Sequence, residues 1–93
     1  MSTSAVTVEE IARDLEAFLR RSFQIPMDDP GFTRQVNLWE AGYVDSAGVV
    51  ETIAHIETRW QISLPEHVVF DTTFTHVGGM AELIARELQR GGA

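Results

Sequence analysis

The sequence predicts an all-α fold, a four-helix bundle of three long helices and a short third one. A long, packed loop joins the first and second helices. Three observations lead there. Three separate stretches carry apolar residues at helical spacing, no stretch alternates apolar and polar residues as a strand would, and the Pro, Gly and Asp residues cluster between the stretches. At 93 residues the chain has room for one domain, with its core expected over about residues 7–90. A domain this small buries only about 60% of its extended-chain surface. The hydrophobic fraction of 44% is still enough for one core and argues against disorder throughout.

The first helix opens at Thr7-Val8-Glu9-Glu10, a capping box in which the Thr side chain and the Glu three residues on satisfy each other's free amides. Ile11, Leu15, Phe18 and Ser22 fall on one face with Val8 and Leu19 beside them, and the helix is expected to run to about Ser22. From Phe23 to Val44 the rhythm stops, broken by Pro26, Asp28-Asp29 and Pro30-Gly31. A structureless connection of this length is unusual in a compact domain. Ile25, Phe32, Val36, Leu38 and Trp39 are therefore expected to pin the segment across the helix ends.

The second helix begins at Asp45-Ser46, and Val49, Ile53, Ile56 and Trp60 form its core stripe up to Gln61. Pro65 suits the start of a short helix from Glu66 to Phe70. Asp71 to Thr75 reads as a turn, with Thr75 as the cap of the last helix. Val77, Met80, Ile84 and Leu88 supply the final stripe, which Gly91-Gly92 ends. Trp39 and Trp60 are expected in the core. Gly78-Gly79 is costly inside a helix, about 0.8–1.0 kcal/mol per Gly relative to Ala. Close packing or a frayed first turn is expected there, rather than a helix softened for a functional reason.

Charge narrows the function. The formal net charge is −7, from 14 acidic and 7 basic residues, and every basic residue is Arg. Such a surface repels phosphate backbones and anionic lipid heads, so neither nucleic acid nor membrane is an expected partner. It suits docking onto Arg- or Lys-rich protein faces. The absence of Cys excludes disulfides and thiolate chemistry. The opening residues lack the basic start and apolar run of a secretory signal, so a cytoplasmic location is expected; the chain is also expected to be a monomer.

The candidate site lies in Leu38-Trp39-Glu40-Ala41-Gly42-Tyr43-Val44-Asp45-Ser46 and the helix that follows. The first turn of a helix has free amides and a partial positive charge, so a phosphodiester on the Ser46 oxygen would lie in a favourable field. Asp45 can cap that turn and present a negative charge to an incoming enzyme. Gly42 lets the chain turn sharply into the helix. At about 100° per residue, Val50, Ala54 and Glu57 lie within roughly 80° of Ser46, with Glu51 flanking them. These residues make a candidate partner surface turned away from the core.

These features resemble the acyl and peptidyl carrier proteins, over roughly Val8 to Leu88. The resemblance rests on Gly42-x-x-Asp45-Ser46, on Leu64-Pro65-Glu66 before the short helix, and on the run from Thr72 to Val77. It is closest to free-standing D-alanyl carriers and to discrete carriers of natural-product pathways, polyketide or nonribosomal peptide. Fatty-acid carriers usually have one residue fewer between the Gly and the Asp. The resemblance implies that Ser46 is the attachment point of 4'-phosphopantetheine. A phosphopantetheinyl transferase would install it from coenzyme A with magnesium, and Asp45 would assist recognition. It also implies a protein that is not an enzyme. Such a carrier holds an acyl or aminoacyl thioester and presents it to an adenylating ligase, an acyltransferase or a synthase. Ala47 and then Gly48 stand where the family commonly has a large apolar residue that touches partners. The implied partner surface is thus Ala47, Val50, Glu51, Ala54 and Glu57.

Other classes fare worse. A serine hydrolase using Ser46, His55 and Asp71 fails because His55 lies nine residues along the same helix, about half a turn around from Ser46. His55, His67 and His76 lack metal spacing and are expected on the solvated surface. Asp28-Asp29 lacks the pattern of a calcium loop. The remaining rival is an acidic helical adaptor that binds a protein without any modification of Ser46.

Overall fold

The computed structural model describes residues 6–91. Helix α1 is Val8–Phe23, α2 is Ser46–Trp60, α3 is Glu66–Val69 and α4 is Val77–Gly91, with a 3-10 turn at Thr72–Thr75 between the last two. The fold is the expected small, all-helical bundle. Gly92, expected to help end α4, lies outside the described residues.

Helix α1 starts on the capping box read from the sequence. The Glu10 amide donates to Thr7 Oγ1 at 3.1 Å, and the Thr7 amide donates to Glu10 Oε1 at 3.0 Å. Its buried face is Ile11, Ala12, Leu15, Phe18 and Leu19. Ser22 and Val8, expected on or beside that face, are exposed. The wide apolar stripe ends with Leu19, and the last turn offers only Phe23 to the interior.

The segment between α1 and α2 is a packed wall. Ile25, Phe32, Leu38 and Val44 are buried in the common core, and Val36, Trp39 and Tyr43 pack against it. Polar contacts hold it as well. The Arg34 guanidinium binds Glu9 at 2.6 Å and Glu16 at 3.0 Å on α1. Its backbone carbonyl accepts from the Gly78 amide at 2.9 Å, at the start of α4. The Leu38 amide donates to Thr75 O at 2.8 Å. Arg34 and Arg13 hold the Glu9 carboxyl down at about 2.

The interior face of α2 is rotated from the expected stripe. Gly48, Thr52, Ile56 and Trp60 are buried, whereas Val49 and Ile53 are only half-buried at its edge. Two small adjustments allow this. A Cβ on Gly48 would lie 2.8 Å from both Phe23 Cε1 and Val44 Cγ1, so the bare backbone is what fits there. The Thr52 hydroxyl donates to Gly48 O at 2.8 Å, so the buried oxygen is satisfied.

Helix α3 ends at Val69, and Phe70, expected within it, lies beyond its end and is 80% exposed. Asp71 caps the 3-10 turn, its carboxylate accepting from the Thr73 amide at 2.9 Å. Thr75 does not cap α4 as expected. Its hydroxyl donates back to Thr72 O at 2.7 Å, inside that turn, and the first α4 bond runs from the Met80 amide to His76 O. Trp60 is buried and Trp39 half-buried. Close packing explains Gly79, where a Cβ would lie 1.9 Å from Thr73 O.

Candidate functional site

The site is built from the end of the packed wall. Asn37 Oδ1 accepts from the amides of Trp39 and Glu40, both at 3.0 Å, and Leu38 O accepts from the amides of Tyr43 and Val44. The Tyr43 hydroxyl donates to Asp29 Oδ2 at 2.9 Å, while burial of Val44 holds the next residue in the core. Burial and the Asp29 carboxylate together push the Tyr43 phenol up. Between these anchors Gly42 takes φ 82°, in the left-handed region, with open space around it. The expected sharp turn is present.

The turn delivers Asp45 as the N-cap of α2 and Ser46 as its first residue. Asp45 Oδ1 accepts from the Gly48 amide at 2.9 Å. Ser46 is exposed, and its hydroxyl forms no hydrogen bond among the described residues. Loss of a capping side chain costs about 0.5–2 kcal/mol, so Asp45→Ala should lower unfolding stability by about 1 kcal/mol in a urea titration. Asp45→Asn, which keeps an accepting oxygen, should recover most of that loss.

Ala47, Val50, Glu51 and Ala54 are all exposed along α2, with Val50 at 66%. Glu57 differs from the other four. It is half-buried, and its carboxylate accepts from the Leu64 amide at 2.9 Å, tying the end of α2 to the segment before α3. Carboxylates dominate this part of the chain. Between Gln35 and Thr58 stand Glu40, Asp45, Glu51 and Glu57, with no Arg.

His55 corrects the expectation of a solvated surface residue. Its ring stacks on Phe18 at 4.1 Å and 9°, with Trp60 edge-on at 5.9 Å. Nε2 lies 2.8 Å from Asp14 Oδ1, and Arg59 Nε donates to Asp14 Oδ2 at 2.8 Å. This α1–α2 cluster escaped the sequence reading because its partners stand 41 residues apart, and no local pattern joins them. Burial pushes the Asp14 carboxyl up, but the hydrogen bonds from His55 and Arg59 outweigh it and hold the group below its ordinary value. A depressed carboxyl contributes stability that is present above its unfolded value and lost as pH falls. Stability should therefore decline from about pH 4 downward, and Asp14→Asn should flatten part of that decline in urea titrations across the range. Parallel declines in the two proteins would contradict a role for the cluster.

The hydrolase reading finds no support in these contacts. His55 is engaged by Asp14, and Asp71 caps the 3-10 turn. Among the described residues no three His, Cys, Asp or Glu side chains gather as a metal site, and no helix is long and apolar enough to cross a membrane. Comparisons with family models, with curated proteins and with solved structures find no match to this chain.

Proposed function

We propose that the chain is an acyl carrier protein, modified at Ser46 by 4'-phosphopantetheine and holding an acyl or aminoacyl group as a thioester. The observation that carries this reading is the Ser46 hydroxyl itself. It is exposed and unengaged at the first position of a capped helix, on a bundle whose core and loop are fixed around it.

The surrounding residues fit a phosphodiester there. With Gly48 satisfied by Asp45, the amides of Ser46 and Ala47 form no bond among the described residues, and they sit at the positive end of the helix. Asp45 engages one oxygen in capping, which leaves Oδ2 for a cation in the modifying complex. When bound, the group supplies a flexible thiol for thioester formation. The protein's own residues hold the attachment point rigid and display it.

Ala47, Val50, Glu51 and Ala54 form the adjoining docking strip. Apolar contact with Ala47, Val50 and Ala54 and a Lys or Arg opposite Glu51 would complete it. Glu57 is bound to Leu64 and acts by fixing the end of that strip. The partners in this reading are a phosphopantetheinyl transferase, an adenylating ligase and an acyltransferase or synthase.

Incubation with coenzyme A, magnesium and a broad phosphopantetheinyl transferase tests the reading by intact mass. The protein should gain one phosphopantetheine, and Ser46→Ala should gain none while retaining its helical content. An unchanged wild-type mass would leave the acidic adaptor as the better account.

A further inference from the structure

Beside the docking strip, α2 and α1 enclose a shallow groove of about 440 Å³, lined by Phe18, Glu51, Ala54, His55, Thr58 and Arg59. Its lining is mostly apolar. Phe18 and His55, which line it together with the small Ala54, stack ring on ring. Its two ends differ in charge, with Glu51 at the end nearer Ser46 and Arg59 at the far end. The positive charge of Arg59 is offset by Asp14 at 2.8 Å. Glu51 is exposed and takes part in none of the ion pairs formed among the described residues. The uncompensated charge in the groove is therefore negative.

The groove also lies at a telling distance from Ser46. At 1.5 Å per residue, Glu51 is about 7.5 Å along the axis from Ser46, His55 about 13.5 Å and Arg59 about 19.5 Å. Phosphopantetheine places about fourteen bonds between the serine oxygen and the sulfur, and at the extension of a peptide backbone this reaches about 17 Å. Around the helix, Ala54 lies about 80° and Glu51 about 140° from Ser46, so an arm rooted at Ser46 crosses the docking strip obliquely and brings its thiol to the Ala54–Glu51 edge of the groove.

From this, and resting on the carrier reading, we propose that the groove is a resting bed for the carried group and that it selects an aminoacyl cargo with an apolar side chain. The cargo ammonium pairs with Glu51, and its side chain lies on Ala54 and the Phe18–His55 rings. A dicarboxylic cargo would place an anion beside Glu51, and a plain acyl chain would leave that carboxylate unpaired. Because Glu51 and Ala54 also belong to the docking strip, a docked cargo and a docked enzyme occupy the same strip in turn.

The test attaches non-hydrolysable cargo to the full chain. The transferase transfers arms from coenzyme A analogues bearing leucyl, 4-methylpentanoyl (the same skeleton without the amine) or succinyl groups through an amide. Intact mass reports attachment, and amide and methyl NMR spectra report the cargo's position. The leucyl form should shift Ala54, His55 and Thr58 and give contacts to the Phe18 ring. An exposed ion pair is modest, so its occupancy should exceed that of the amine-free form by about two- to five-fold. Glu51→Gln, compared on protein that intact mass shows to be fully loaded, should remove that difference. Shifts confined to the first turn of α2 for all three cargoes, or equal shifts with and without the amine, would overturn the proposal while the mass gain still upheld the carrier reading. No mass gain would overturn both.

Discussion

Gly79→Ala should destabilise the fold by about 3 kcal/mol, whereas Gly78→Ala, one residue earlier, should be close to neutral. The two glycines look equivalent in the sequence but meet different neighbours. A Cβ on Gly79 would lie 1.9 Å from Thr73 O and 2.8 Å from Thr73 C, both backbone atoms that cannot rotate aside. Fitting it would push α4 off the 3-10 turn at Thr72–Thr75, and overpacking of this kind costs about 1–3 kcal/mol or more. A Cβ on Gly78 would meet Arg34 O at 3.3 Å, a contact relieved by a shift of a few tenths of an ångström. The better helix propensity of Ala, worth up to about 1 kcal/mol, offsets that strain. Urea midpoints of the two variants measure the contrast directly. Equal losses would mean that α4 does not approach the turn as closely as described.

Phe74→Ala should cost still more, about 3–5 kcal/mol. Phe74 is fully buried, 0% exposed, and it is the one buried residue of a four-residue turn. So short a turn has no helical stability of its own, and burial of this ring is what holds it on α4. Removing the ring leaves a cavity and also frees the Thr75 carbonyl that receives the Leu38 amide at 2.8 Å. The wall leading to Ser46 is loosened with it. A domain of this length has a total stability of about 5–14 kcal/mol, so the variant should melt roughly 15–30 °C lower. Phe74→Leu, which keeps most of the apolar volume, should recover more than half of the loss.

What the sequence made legible was local. Every group in the α1 capping box lies within four residues, and Gly42, Asp45 and Ser46 stand within five, so their chemistry was readable before any fold was known. The wall between α1 and α2 was legible too, because a loop carrying Ile25, Phe32 and Leu38 has apolar surface to bury. The interior face of α2 was misplaced because apolar counting favours Val49 and Ile53. The bare backbone of Gly48 and the self-satisfied hydroxyl of Thr52 instead let that side approach most closely. Thr75 was misassigned because a hydroxyl before an apolar stripe reads as a cap whether it faces the next helix or its own 3-10 turn. His55 and Glu57 were read as surface residues because Asp14 and the Leu64 amide reach them only through tertiary contact.

The proposed attachment point is the Ser46 hydroxyl, and mapping the position of the added group tests that proposal most directly. After reaction with coenzyme A and a phosphopantetheinyl transferase, the protein is digested and its peptides are fragmented in a mass spectrometer. The account predicts a single modified peptide, with the phosphopantetheine on Ser46 and none on Ser22, Ser63 or the threonines. A group found on any of those residues, or found nowhere while a known carrier reacts in the same tube, would contradict it.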